Sequence, residues 1–139
     1  MRKSALKCRC KKTTILGFSV ICLVLALSAC LSVEKKDLDK AEEMSYKTIK
    51  AEPDNNTYLD TYAWILFIKK KYTEAKVYMD DAMKKGGDKS EVVVEHCGDV
   101  YYMNGLKEDA LKYWIKSREM GNKSEVLKKK IEQKKYIAE

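Results

Sequence analysis

Apolar residues return every three or four positions along most of this chain, which is the spacing of one face of a helix. Leu38, Ala41, Met44, Ser45, Thr48 and Ile49 form a first stripe. Pro53 ends it, because proline lacks an amide hydrogen and pushes Glu52 out of helical geometry. Tyr58, Leu59, Tyr62, Ala63, Leu66 and Phe67 form a second stripe, with Asp54, Asn55 and Asn56 ahead of it as possible caps. After the break Lys69-Lys70-Lys71, a third runs through Tyr72, Ala75, Met79 and Ala82 and closes at Gly86-Gly87. Asp88 and Glu91 have the form of a capping box before a fourth stripe of Val93, Val94, Cys97, Gly98 and Tyr101. Asn104-Gly105 supplies a turn, Ala110, Leu111, Trp114 and Ile115 make a fifth stripe, and Gly121-Asn122 ends it.

Sliding the sequence by thirty-five residues lays Leu59 on Val94, Ala63 on Gly98, Leu66 on Tyr101, Ala75 on Ala110, Met79 on Trp114 and Ala82 on Ser117. The chain therefore contains an internal repeat, each unit a helix, a turn and a helix. The pattern predicts an all-α solenoid of helical hairpins, about two and a half repeats over residues 37–122. Residues before Pro53 are the second helix of an incomplete repeat. A cap helix is expected within 123–139, over 124–137, where Val126, Leu127, Ile131 and Ile137 stand among many lysines.

A helix pair recurring at about 34 residues resembles the tetratricopeptide repeat. The residues carrying the resemblance are Ala63, Leu66, Tyr72, Ala75 and Ala82 in one unit and Gly98, Tyr101, Ala110 and Trp114 in the next. Small residues belong at Ala63, Ala75, Gly98 and Ala110, where paired helices cross closely. Ser117 departs from the usual alanine, and no proline follows the second unit. Tyr58 through Phe67 and Glu95 through Tyr102 look like the end of longer bacterial proteins of this type.

The net charge of +7 suggests nucleic acid until it is divided along the chain. Residues 1–12 hold six Lys or Arg and no acid, whereas residues 30–139 hold 22 against 21, so the repeats lack the basic face that a phosphate backbone requires. Residues 13–33 are uncharged, and Leu27-Ser28-Ala29-Cys30 places small residues before a cysteine. This arrangement resembles a bacterial lipoprotein signal, with Cys30 the lipidated residue, residues 1–29 removed and residues 30–36 a short tether. The same run is long enough to remain as an uncleaved membrane anchor, and its small residues also fit the packing positions of a preceding repeat. Either attachment implies a location at the membrane of a bacterial cell envelope.

No catalytic constellation and no cofactor motif is visible. His96 and Cys97 are adjacent, so on a helix they point about 100° apart and do not pair as base and nucleophile. Glu95, His96 and Asp99 have helical spacing for a metal, but an exposed helix usually leaves such a trio solvated, and no metal is expected. The resemblance implies a concave groove lined by the first helix of each unit, here Asp60, Trp64, Phe67 and Ile68, then Glu95, Asp99, Tyr102 and Met103. Trp64, Phe67 and Tyr102 fit the core between repeats equally well. Relatives that clamp a peptide carboxylate use Lys and Asn in this groove, so the acids here disfavour that mode. The expectation is a non-enzymatic protein-binding scaffold that takes a basic, partly apolar protein or peptide and assists cell-envelope assembly. The alternative is a truncated structural fragment that completes its half repeat on another chain.

Overall fold

The computed structural model describes residues 37–138, and the regular elements among them are all helices. The expectations for residues 1–36, including the lipidated Cys30, lie outside the described residues. The helices are α1 over 37–51, α2 (Asn56–Ile68), α3 (Tyr72–Lys84), α4 (Glu91–Met103), α5 (Lys107–Glu119) and α6 (Glu125–Gln133). A single 3₁₀ turn, Gly87–Lys89, joins α3 to α4. None of these helices is long and apolar enough to cross a membrane.

The ends of the helices follow local chemistry. Asn55 accepts from the Thr57 and Tyr58 amides, and Ser124 accepts from Leu127, so α2 and α6 each have one otherwise orphaned donor or more satisfied. At α4 the cap is Ser90, which accepts from Val93, while the expected capping residue Asp88 sits in the 3₁₀ turn. Four helices end alike. Lys71 N–H donates to Leu66, Leu106 to Tyr101, Asn122 to Ser117 and Lys135 to Lys130, each a six-residue closure around one left-handed residue.

Two hairpins, α2–α3 and α4–α5, make the body. Ala63, Leu66, Ala75, Met79 and Ala82 are sealed inside the first, with Leu59, Tyr62 and Phe67 almost as deep. The second is closed by Gly98 against Trp114. A Cβ at Gly98 would lie 2.5 Å from Trp114 Cδ1 and 3.1 Å from the Ala110 carbonyl oxygen, so this crossing accepts no side chain. Ser117, the departure from the repeat pattern, is buried and donates to the Glu91 carbonyl at 2.7 Å. The hydroxyl thereby ties α5 to the start of α4, a bond that alanine could not make.

Neighbouring units are joined by polar ties over apolar packing. Asn104 Nδ2 donates to the Tyr72 carbonyl at 2.9 Å, and Tyr101 Oη donates to Asp80 at 2.7 Å. On the other side α1 sends Ile49 into the core and Glu42 to Lys69 and Lys71. The cap helix is shorter than its sequence pattern suggests. It stops at Gln133, where Lys134 turns left-handed, and the next residues leave the helix.

Candidate functional site

Trp64, Phe67 and Ile68 project from the last two turns of α2, spaced so that all three share one side of the helix. Trp64 stacks on Phe67 with ring centres 4.8 Å apart and planes 8° from parallel, and on His96 of α4 at 4.1 Å and 17°. Ile68 is 47% exposed beside them. A cavity of about 390 Å3 opens here, lined by these three α2 residues, Lys70, Tyr72, Asp99, Lys130, Tyr136, Ile137 and Ala138. Its walls are aromatic and aliphatic at one end and charged at the other.

The charged end is a closed network. Lys130 of α6 places its ammonium 2.8 Å from Glu95 Oε1 and 2.7 Å from Asp99 Oδ2. Asn122 Nδ2 donates to the other Glu95 oxygen at 2.8 Å, and Trp114 Nε1 donates to the other Asp99 oxygen at 2.9 Å. Both Asp99 and Lys130 are 1% exposed. Every carboxylate oxygen thus has a donor, which is the condition for keeping such charges out of water. Two carboxylates share one ammonium. Burial, with the Glu95 charge adding to it, pushes the Asp99 carboxyl up to about 6 against the pull of Lys130 and Trp114. Burial alone would lower Lys130, but Asp99 and Glu95 outweigh it and hold the ammonium above its usual range.

The acids expected to line an open groove are therefore engaged inside the fold. Asp99 is buried against Lys130 and Trp114, Glu95 is buried against Lys130 and Asn122, and Asp60 lies 2.9 Å from His96 Nδ1. Trp64, Phe67, Ile68 and Asp99 come together at the cavity, whereas Tyr102 and Met103 do not line it. Tyr102 stacks on Trp114 at 5.6 Å, in the packing between repeats. Met103 faces a separate hollow of about 440 Å3 at the α2–α3 turn, with Lys70, Lys71, Tyr72, Thr73, Glu74 and Asn104.

His96 is directed at Asp60 and stacked on Trp64, so it does not converge with Glu95 and Asp99 on a metal position. Cys97 is buried on the other side of α4, where burial pushes its thiol up to about 12 and leaves it protonated at neutral pH.

Lys130 and Tyr136, with Lys70, Tyr72, Ile137 and Ala138, are cavity residues that reading the sequence missed. The repeat register contained a signal for the first: Lys130 falls thirty-five residues after Glu95, which itself falls thirty-five after Asp60. Its neighbours Leu127 and Ile131 also put it beside the apolar stripe of α6.

Neither a protein-family profile nor a curated protein matches the chain. Solved structures do. The first tetratricopeptide domain of Spaghetti (RPAP3), bound to the HSP90 peptide SRMEEVD, superposes with a TM-score of 0.66 at 18% identity, covering 81% of this chain and 88% of that one. The fold is the tetratricopeptide-repeat fold. The first such domain of human RPAP3 gives a TM-score of 0.65 at 18% identity, over 81% of this chain and 87% of that one. A structure of Naa15/Naa10 bound to HypK-THB gives 0.58 at 18% identity over 75% of this chain, which corresponds to 16% of that longer chain.

Proposed function

We propose that this chain is a non-enzymatic scaffold that binds a peptide segment in the cavity beside α2. The observation that carries the reading is the cavity of about 390 Å3, with Trp64, Phe67 and the exposed Ile68 on its wall, in a fold whose stacked first helices form a concave face. Two proteins of the same fold are described in complex with an HSP90 peptide and with HypK-THB, which supports a protein partner here. Apolar contact dominates recognition. The sequence suggested a basic partner because of Asp60, Glu95 and Asp99, but Asp60 faces His96 and the other two are buried against Lys130, so these acids are directed at partners within the fold.

The scaffold is proposed to work at the membrane of a bacterial cell envelope, assisting assembly there, held by residues 1–29 as an anchor or by a lipid on Cys30. Support comes from the basic start, the uncharged run and Leu27-Ser28-Ala29-Cys30. Mass spectrometry of the membrane-purified N-terminus separates the two attachments, and unchanged processing of Cys30→Ala would exclude the lipid.

A peptide-display selection against the immobilised full chain tests the groove. Enriched peptides are expected to bind in the micromolar range and to lose at least tenfold in affinity with Ile68→Asp, since that residue is exposed and its replacement leaves the core intact. Equal binding to wild type and variant, with helical circular dichroism unchanged, would remove this face from the account.

A further inference from the structure

The segment that follows α6 turns back into the cavity instead of continuing outward. Lys134 adopts φ +49, a left-handed conformation that disfavours any residue except glycine, and Lys135 N–H closes on the Lys130 carbonyl at 3.1 Å. The Tyr136 ring then meets Phe67 edge to face at 5.5 Å and 71°, with the Lys130 ammonium 5.5 Å from its centre. Tyr136 packs against both apolar clusters of the fold, and Ile137 and Ala138 line the same cavity as Trp64 and Ile68. Tyr136 and Ile137 are each half-buried, although neither belongs to a helix.

We propose that residues 136–138 are a built-in occupant of the groove, which a partner must displace with a segment of like chemistry, an aromatic residue followed by an aliphatic one. The inference rests on the peptide-binding reading above and adds both the gate and the partner's side chains. Phe67 offers a ring edge contact that an aromatic side chain satisfies and an aliphatic one does not. Beside it the remaining space faces Ile68 and Trp64, which suits a branched aliphatic side chain. At the charged end Lys130 is already shared by Glu95 and Asp99.

A tethered segment acts at an effective concentration of order millimolar, so an occupant held by a few ring contacts lowers the apparent affinity of any competitor by the fraction of chains in which the groove is open. Displacement requires no rearrangement of the hairpins. Lys134 lies at the start of the segment and supplies the pivot.

The experiment uses the full chain in lipid nanodiscs and a fluorescent, N-acetylated probe with the sequence of residues 134–139, Lys-Lys-Tyr-Ile-Ala-Glu. Fluorescence anisotropy compares wild type with the double variant Tyr136→Ala, Ile137→Ser. The probe is expected to bind the double variant at least tenfold more tightly than wild type. A probe with alanine at both the aromatic and the aliphatic position should bind neither chain. Equal affinity for the two chains, or no binding to the released variant, overturns the proposal. If circular dichroism shows that the double variant has unfolded, Ile137→Ser alone keeps the Phe67–Tyr136 contact and should tighten binding about threefold. An unchanged affinity there is likewise fatal. Display-selected peptides that still depend on Ile68 after such a failure would leave the scaffold reading standing and remove only the occupant.

Discussion

Hairpin α2–α3 is closed by apolar contact, and hairpin α4–α5 by an indole and a buried charge network, although thirty-five residues of register lay one on the other. Where the first buries Ala63 and Met79, the second has at the same register positions Gly98 and Trp114, which face each other, an exchange that removes volume from one helix and adds it to the other. Trp64 and Asp99 occupy the same register position. In the first unit an indole lies on the cavity wall, stacked on Phe67 and His96. In the second the indole lies inside and donates to the carboxylate at that position. One backbone is satisfied by two chemistries, and the second requires a third helix, because Glu95 and Asp99 have their counter-charge on α6. The first unit shares an apolar core with Ile49 of α1 and with Val93, Cys97 and Val100 of α4; the second has its buried acids paired only when α6 docks.

That dependence sets the largest expected effect. Lys130→Ala leaves two buried carboxylates without a cation and should cost about 3–5 kcal/mol. This is a large share of the roughly 5–15 kcal/mol that holds an ordinary domain together. Lys69 also touches two acids, Asp39 and Glu42, but this group is only partly buried and Asp39 stands open to water, which screens it, so Lys69→Ala should cost less. Urea denaturation of the two variants measures the difference. Similar losses would mean that the buried network contributes no more than a partly buried one and that the contrast between the hairpins is one of appearance.

The same contrast explains what could be read from the sequence. Ala63, Ala75, Gly98 and Ala110 were legible as crossing positions because small residues at a fixed period have one structural meaning, and all four are buried where helices meet. The start of α2 was legible to within the three candidate caps Asp54, Asn55 and Asn56, of which Asn55 is the cap, and the end of α5 from Gly121-Asn122. Lys130 was not. A lysine among lysines on a terminal helix reads as solvated, and its burial depends on carboxylates thirty-one and thirty-five residues earlier, which local pattern does not weigh. Asp99 was placed on an exposed groove wall by the mirror of that error, since an acid on the concave side looks free until the helix that neutralises it is docked. The end of α6 was missed because Ile137 continues the apolar stripe, but Lys134 turns the chain and Ile137 reaches the cavity outside the helix.

Proton binding sharpens the comparison further. The Asp99 carboxyl is raised from an ordinary value near 3.8 to about 6, so the folded state holds this proton more tightly than the unfolded chain does. Its contribution to stability is complete below about pH 4 and is lost as pH rises through 6, a span of about 3 kcal/mol at most. Glu42 in the first half of the chain has the opposite sign. Hydrogen bonds from Lys69 and then Lys71 hold it below its ordinary 4.5, so its contribution is present above that value and fades in more acidic solution. Between pH 5 and 7 the Asp99 effect therefore stands apart from that of Glu42. Melting temperatures at those two values should show wild type more stabilised by acid than Asp99→Asn, in which the amide oxygen can still accept from Trp114 but no longer titrates. Equal responses would mean that Lys130 holds Asp99 ionised throughout.

The smallest effect concerns the two turns inside the hairpins, which close with equivalent backbone hydrogen bonds and have different residues at the left-handed position. Lys70 N–H donates to Phe67 and Lys71 N–H to Leu66; Gly105 N–H donates to Tyr102 and Leu106 N–H to Tyr101. The pivot is left-handed in both, with φ +63 at Lys70 and +84 at Gly105. A left-handed conformation costs an ordinary residue about 1–2 kcal/mol, and glycine gives back about 0.5–1 of that through the greater freedom it loses on folding. Lys70→Gly should therefore raise stability by up to about 1 kcal/mol. Gly105→Ala should lower it by a similar amount, and there the reason is backbone conformation alone, because an added Cβ would meet nothing within 4 Å. Denaturation midpoints of the two variants, with unchanged denaturant slopes, give both numbers. A loss of stability in Lys70→Gly would break the equivalence of the turns. It would assign to the Lys70 side chain, which borders both the groove and the hollow beside Met103, a contact stronger than the strain of holding it there.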